Sequence, residues 1–319
     1  MPLLDLPIEL LHEYMGTNPR PSDFDNYWEH ALTELDQTPP NVGLSPADFQ
    51  SHSAACFDLT FDGVGGSRVY AKYLRPRGIR ADGPAVLQFH GYSGHSGNWT
   101  DKLSYVSQGY SVLCMDCRGQ GGKSTDPGGV IGNTLRGHII RGLTGDPKSL
   151  YFRNVFLDTV QLARIAATLP GVDPLRIGAI GGSQGGGLTL ACAALYPKLK
   201  LAAPSFPFLC DYQRVWEMDL AKGAYEELST FFRHVDPRHE NKALWFERLG
   251  YIDCQHLASR INAGVLMHMG LMDSICPPST QMAAYNKIDS QKRLVIYPDF
   301  GHEHLPDADD TVFTFMSDL

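Results

Sequence analysis

The chain has 319 residues, 43% of them hydrophobic and 19% charged. That balance can bury a large core and excludes a disordered chain. Lys and Arg number 27 against 35 Asp and Glu, a formal net charge of −8, so no basic surface points to nucleic acid or an anionic membrane as partner.

Residues 1 to about 38 are predicted to be helical. Leu3, Leu6, Leu10 and Leu11 share one face, and Phe24, Tyr27, Trp28, Leu32 and Leu35 form an i, i+3, i+4 stripe. The N-terminus carries acids at Asp5, Glu9 and Glu13 and no basic leading segment, so it does not read as a signal peptide. No apolar run reaches the ~18 residues of a membrane-spanning helix. Residues 39–50, PPNVGLSPADFQ, read as a Pro-rich linker. Strand patterns follow at 55–61, 68–74, 85–90 and 110–115, the last two as continuous apolar runs of the kind covered on both faces.

From about residue 145 strands and helices alternate. Helices are predicted at 150–169 and 184–195, and strands at 176–180, 199–204, 264–269 and 294–297. This rhythm implies a mostly parallel central sheet with right-handed crossovers and helices on both faces. The block from about 207 to 262 interrupts it with polar and aromatic helical sequence, including Tyr212, Trp216, Tyr225, Phe231, Phe232, Trp245 and Phe246. We read the chain as one α/β domain over 1–319, with an N-terminal helical extension at 1–45 and a helical insertion over the site. There is no internal repeat. The seven cysteines are odd in number, scattered and mostly in apolar contexts, as expected of buried thiols in a reducing compartment. Cys114 and Cys117 form a CxxC, but it straddles a predicted strand end and has no second pair, so it does not read as a redox or zinc motif.

The strongest chemical signal is Gly181-Gly182-Ser183-Gln184-Gly185. It lies between a predicted strand and a predicted helix. That context makes G-x-S-x-G informative, because a tight strand-to-helix turn lifts the serine oxygen clear of the sheet. The same turn sets the Gln184 N–H at a helix N-terminus, where an oxyanion is stabilised. Downstream, Asp273 follows the strand at 264–270 and His302 follows the strand at 294–297. This is the Ser, acid, His order of an α/β-hydrolase triad. Asp299 is the competing acid and His304 the competing base. Gly301 allows a tight loop before His302, which favours His302. His302-Glu303-His304 lacks the pattern of a third metal ligand, so no metal is expected. His90-Gly91-Tyr92-Ser93-Gly94 follows the strand at 85–90 and makes the Tyr92 N–H the second oxyanion donor, with its ring a candidate wall of the acyl pocket. Arg118-Gly119-Gln120-Gly121-Gly122 lacks phosphate-loop spacing, and Arg118 reads as a brace for the loops around the site.

Together, Arg118-Gly119-Gln120, Gly181-Gly182-Ser183-Gln184-Gly185 and His302-Glu303 resemble the carbohydrate esterase family of cephalosporin C deacetylases and acetyl xylan esterases. The Phe24–Trp28 segment and Asp273 followed by Cys276-Pro277-Pro278 also look like that family, so the resemblance runs from about residue 3 to 316. It implies an α/β-hydrolase with Ser183, Asp273 and His302 as triad and the Tyr92 and Gln184 amides as oxyanion hole. Tyr92, Arg118 and Gln120 are then substrate-binding or site-bracing residues. It further implies deacetylation of short acetylated saccharides and cephalosporin C, no cofactor, a cytoplasmic location and a homohexamer. The loop Ser93-Gly94-His95-Ser96-Gly97-Asn98-Trp99 is richer in His and Trp than the family pattern, which bears on substrate preference. The rivals are another short-chain carboxylesterase, or a peptidase using Glu217 and Asp219, or Glu226 and Glu227, to hold a substrate amine. A non-enzymatic binding protein on the same fold is the remaining alternative.

Overall fold

A computed structural model describes residues 4–78, 81–127 and 135–319, so Leu3 of the first apolar stripe lies outside the described residues. The N-terminal region holds two helices, α1 (Ile8–Glu13) and α2 (Phe24–Asp36). The continuous helix expected over 1–38 is broken between them. Tyr14 turns to extended backbone, Gly16 takes φ +83°, and Pro19 and Pro21 cannot continue a helix. Leu10 is consequently 51% exposed while Leu11 is buried. In α2 the buried stripe is Phe24, Tyr27, Trp28, Ala31 and Leu35, and Leu32 is only half-buried.

The chain continues through β1 (Gly43–Pro46), β2 (Ala54–Asp62), β3 (Arg68–Pro76), β4 (Gly83–Phe89), α3 (Leu103–Ser107), β5 (Ser111–Met115), α4 (Tyr151–Ala166), β6 (Val172–Gly182), α5 (Gln184–Leu195) and β7 (Leu201–Ser205). Helices α6 (Tyr212–Glu217), α7 (Glu226–Val235), α8 (Lys242–Gly250) and α9 (Cys254–Leu257) follow. The chain ends with β8 (Gly264–Gly270), α10 (Pro278–Tyr285), β9 (Lys292–Tyr297) and α11 (Ala308–Met316). The Pro-rich stretch at 39–50 is more than a linker, because β1 pairs within it antiparallel to β2, with Gly43 opposite Thr60. Helices α3, α10 and α11 had no counterpart in the sequence expectations.

Among the described residues, nine strands form one sheet in the order β1-β2-β3-β5-β4-β6-β7-β8-β9. The first three strands pair antiparallel, as does β3 with β5, and all pairs from β5 through β9 are parallel. Side chains alternate between two apolar layers. Leu113, Met115, Leu87 and Phe89 pack with α2, α4 and α5, while Val112, Cys114 and Val86 pack with Tyr105 and Val106 of α3 and Val312 and Met316 of α11. Both faces are therefore covered, as expected of an α/β-hydrolase sheet. Helix α5 is buried along its whole length, so its apolar residues need no polar face.

Strand order reverses at β4. Its successor β5 lies on one side and β6 on the other, which opens a crevice at the carboxyl ends of β4 and β6, the usual position of a ligand site in an open α/β sheet.

Candidate active site

Ser183 occupies the turn between β6 and α5 with φ 57° and ψ −120°. A non-glycine residue there is strained and must be held by its surroundings. A Cβ on Gly181 would come 2.5 Å from the Gly185 backbone, and one on Gly185 would come 2.1 Å from the Phe89 carbonyl oxygen. Only glycine fits at either position, so the flanking glycines of the motif are required by close backbone packing. The Ser183 N–H donates to the Ser205 carbonyl at 3.0 Å, and the Ser183 carbonyl accepts from Phe208 N–H at 2.9 Å.

His302, Asp273 and Ser183 meet across this turn. His302 Nε2 lies 2.9 Å from Ser183 Oγ, and His302 Nδ1 lies 2.8 Å from Asp273 Oδ2. Asp273 is fully buried in the loop after β8. Its Oδ1 accepts the Ile275 and Cys276 N–H groups at 2.9 and 2.8 Å, and Gln281 Nε2 reaches Oδ2 at 3.4 Å. The Phe206 ring packs edge-on against the imidazole, centroids 4.9 Å apart. The competing residues are elsewhere: Asp299 and His304 are exposed, and neither bonds to a member of this set among the described residues. Glu303 accepts the Gly301 N–H at 2.9 Å and so shapes the histidine loop.

Two glutamines join the candidate oxyanion segments. Gln120 and Gln184 are fully buried and exchange hydrogen bonds, Gln120 Nε2 to Gln184 Oε1 at 2.8 Å and Gln184 Nε2 to Gln120 Oε1 at 3.0 Å. The Gln120 Oε1 also accepts the Ser93 N–H at 2.9 Å. One side chain thus ties the residue after Tyr92 to the residue after Ser183. Tyr92 is half-buried, its ring packed on His138 and Phe208 at 4.9 and 5.6 Å. Its hydroxyl donates to Glu227 of α7.

Arg118 cannot touch a substrate. It is 1% exposed, binds Asp158 of α4 with Nε and Nη2 at 2.7 and 2.6 Å, and donates Nη1 to the Val64 carbonyl at 2.9 Å. Of the two roles expected for it, bracing is the one its surroundings allow. Trp99 is also turned to packing, stacked on Phe49 at 6.1 Å with the Lys72 ammonium over its ring at 5.1 Å. The unusual loop composition at 93–99 therefore does not place that indole at the site.

Asp273, Cys276 and His302 offer three ligand atoms within 4.8 Å of one another. They fit a metal poorly. The carboxylate and imidazole already bond to each other, and burial pushes the Cys276 thiol well above its usual range, against the thiolate a metal needs. All seven cysteines are buried and free. In the CxxC, Cys114 donates to Gln88 Oε1 at 3.1 Å and burial pushes its thiol up to about 12. Three of the four acids considered for amine binding are engaged: Glu226 pairs with Arg136 at 2.9 Å, Glu217 with Lys242 at 3.6 Å, and Glu227 accepts three donors, while Asp219 is exposed. Sequence reasoning missed Phe206 and Gln281. Neither stands in a motif, and only the folded loops bring them to the triad.

Comparison with known proteins places this site in context. The acetyl xylan esterase (AXE1) family matches residues 1–319. Acetyl xylan esterase 1 from Thermoanaerobacterium sp. JW/SL YS485 is 52% identical and superposes with a TM-score of 0.96, over 98% of this chain and 99% of that one. The acetyl xylan esterase from Paenibacillus sp. R4 is 35% identical with a TM-score of 0.92, over 98% and 99%. Acetyl esterase Axe7A of Xylanibacter ruminicola is 27% identical over 300 residues, 91% of this chain. The chain spans 64% of that relative's length.

Proposed function

The chain belongs to the acetyl xylan esterase family, and from that premise we propose that it is a serine esterase that removes acetyl groups from short acetylated saccharides and cephalosporin C. The observation that carries the reading is the unbroken chain Asp273–His302–Ser183, at 2.8 and 2.9 Å, ending on a strained serine.

In this reading Ser183 Oγ attacks the acetyl carbonyl while His302 Nε2 takes its proton. Base catalysis of this kind contributes about 10²–10⁴ in rate. Asp273 keeps the Nδ1–H tautomer and offsets the imidazolium charge. The N–H groups of Tyr92 and Gln184 receive the oxyanion, one such donor being worth about 10²–10³ in kcat. Among the described residues neither amide has a hydrogen-bond partner, so both are available. His302 then protonates the leaving alcohol, water attacks the acetyl-enzyme and acetate leaves. The chemistry needs no cofactor.

We also propose a single domain whose segment 207–262 forms an insertion over the site, and a cytoplasmic homohexamer. No helix among the described residues is long and apolar enough to cross a membrane. Against a peptidase stands the engagement of Glu217, Glu226 and Glu227, which leaves neither candidate pair with both of its carboxylates unengaged.

The test is Ser183→Ala, which should fold as the parent does and lose at least about 10³-fold of turnover on p-nitrophenyl acetate. Wild-type turnover in that variant would remove Ser183 as nucleophile. Acetate release from acetylated xylo-oligosaccharides, peracetylated glucose and cephalosporin C ranks the substrates, and light scattering reads the assembly.

A further inference from the structure

Helix α7 and the candidate oxyanion loop are joined by one buried carboxylate. Glu227 is 7% exposed. One of its oxygens accepts the Tyr92 hydroxyl, and the other accepts the Ile139 and Ile140 N–H groups at 2.8 and 3.0 Å. The Tyr92 oxygen in turn accepts the His138 N–H at 3.3 Å. Four pieces of chain therefore converge: α7, the loop after β4, the segment 138–140 and, through the Gln120 bond to Ser93, the loop after β5. The hydroxyl of Tyr92 touches nothing of the triad, yet its backbone N–H is the proposed oxyanion donor.

We propose that Glu227 is a positioning residue of the reaction: by gripping the Tyr92 phenol it sets where the Tyr92 N–H points, so the 207–262 segment helps build the oxyanion hole. The inference rests on the Tyr92 amide being an oxyanion donor. Its physical basis is that such a donor works only when held in place before charge develops, and that a displacement of about 1 Å can cost about 10²-fold. The charge of Arg141 also acts on Glu227. Glu226 points to solvent with Arg136, while Arg141 pairs with Asp126 at 2.5 Å.

Three variants test it on p-nitrophenyl acetate. Glu227→Ala should lower kcat about 10- to 100-fold with KM changed less than about 3-fold, because the lost interaction is made with the transition state. Glu227→Gln can accept both amides with its carbonyl and donate its amide to the phenol oxygen, so it should keep kcat within about 5-fold. Tyr92→Phe keeps the ring and the main chain, loses the grip together with the bond from the His138 N–H, and should lower kcat at least about 5-fold. The double variant Glu227→Ala/Tyr92→Phe should fall no further than the worse single variant, since both cut one link. Should Glu227→Ala fail to fold, Tyr92→Phe decides alone. A folded Glu227→Ala or Tyr92→Phe with parental kcat, or a loss confined to KM, would overturn the inference. Ser183→Ala run in parallel separates the two readings. If it is inactive while the grip variants are parental, only the role of Glu227 falls; if it is fully active, the esterase reading itself falls.

Discussion

An aspartate that holds an imidazole must itself be held, and Asp273 shows how. Its outer oxygen faces His302 while the inner one accepts two successive amides, Ile275 and Cys276, so the carboxylate cannot rotate without losing charge-assisted bonds. We expect Asp273→Asn to keep the fold and to lower kcat by about 10⁴, because an amide nitrogen facing Nδ1 selects the wrong tautomer. Turnover of p-nitrophenyl acetate with circular dichroism as a folding control measures this, and kcat within tenfold of the parent would contradict it. The meeting of Ser183, Asp273 and His302 was legible in the sequence because each follows a strand in a known order. Gly301 before His302 was a usable sign as well, since Gly301 lies against the Met272 carbonyl at the base of the histidine loop. Tyr92 was legible as a loop residue. Its link to Glu227 was not, because 135 positions separate them and the Glu226-Glu227 pair reads in the sequence only as a candidate amine holder.

Among the elements, the sheet strands were read well and the terminal segments poorly. Runs such as Val112–Met115 are apolar on both faces and announce themselves, whereas β1 contains Pro46, lies at the sheet edge and is mostly exposed. The short helix α1 was merged with α2 because apolar spacing alone does not report the break at Gly16 and Pro19. What secures that break is tertiary: Tyr14 Oη and Asn18 N–H both bond Asp211 of the segment before α6, at 2.7 and 2.8 Å. The buried Arg118–Asp158 pair secures another junction, tying the loop after β5 to α4 and to Val64. Asp158→Ala would leave the guanidinium buried and uncompensated. It should cost about 3–5 kcal/mol of stability by urea unfolding, with kcat of the folded enzyme little changed because Arg118 does not reach the triad. A cost below about 1 kcal/mol would show that the loop and α4 are not coupled through this pair.

At the scale of the whole molecule, burial sets opposing pH dependences. His138, His256 and His268 are pushed down to about 4, 3 and 4 by burial. The unfolded chain takes up protons at these sites below about pH 6.5 while the fold resists, so they remove stability as pH falls from there towards 4. Glu227 and Asp253 act the other way. Burial pushes both up to about 7, further helped at Asp253 by the charge of Asp211 and opposed at Glu227 by its hydrogen bonds from Tyr92, Ile140 and Ile139 and by the charge of Arg141. The fold keeps a proton there that the unfolded chain releases, so these two carboxyls remove stability as pH rises from about 4.5 towards 7. Glu227→Gln deletes one opposing contribution and leaves the histidines untouched. Its stability relative to the parent should therefore increase as pH rises from 4.5 to 7, by up to about 3 kcal/mol, and level off above. Urea unfolding of both proteins across that range measures the difference. If the gap between them stayed constant with pH, Glu227 would have to be ionised in the fold throughout, and burial would not govern its titration.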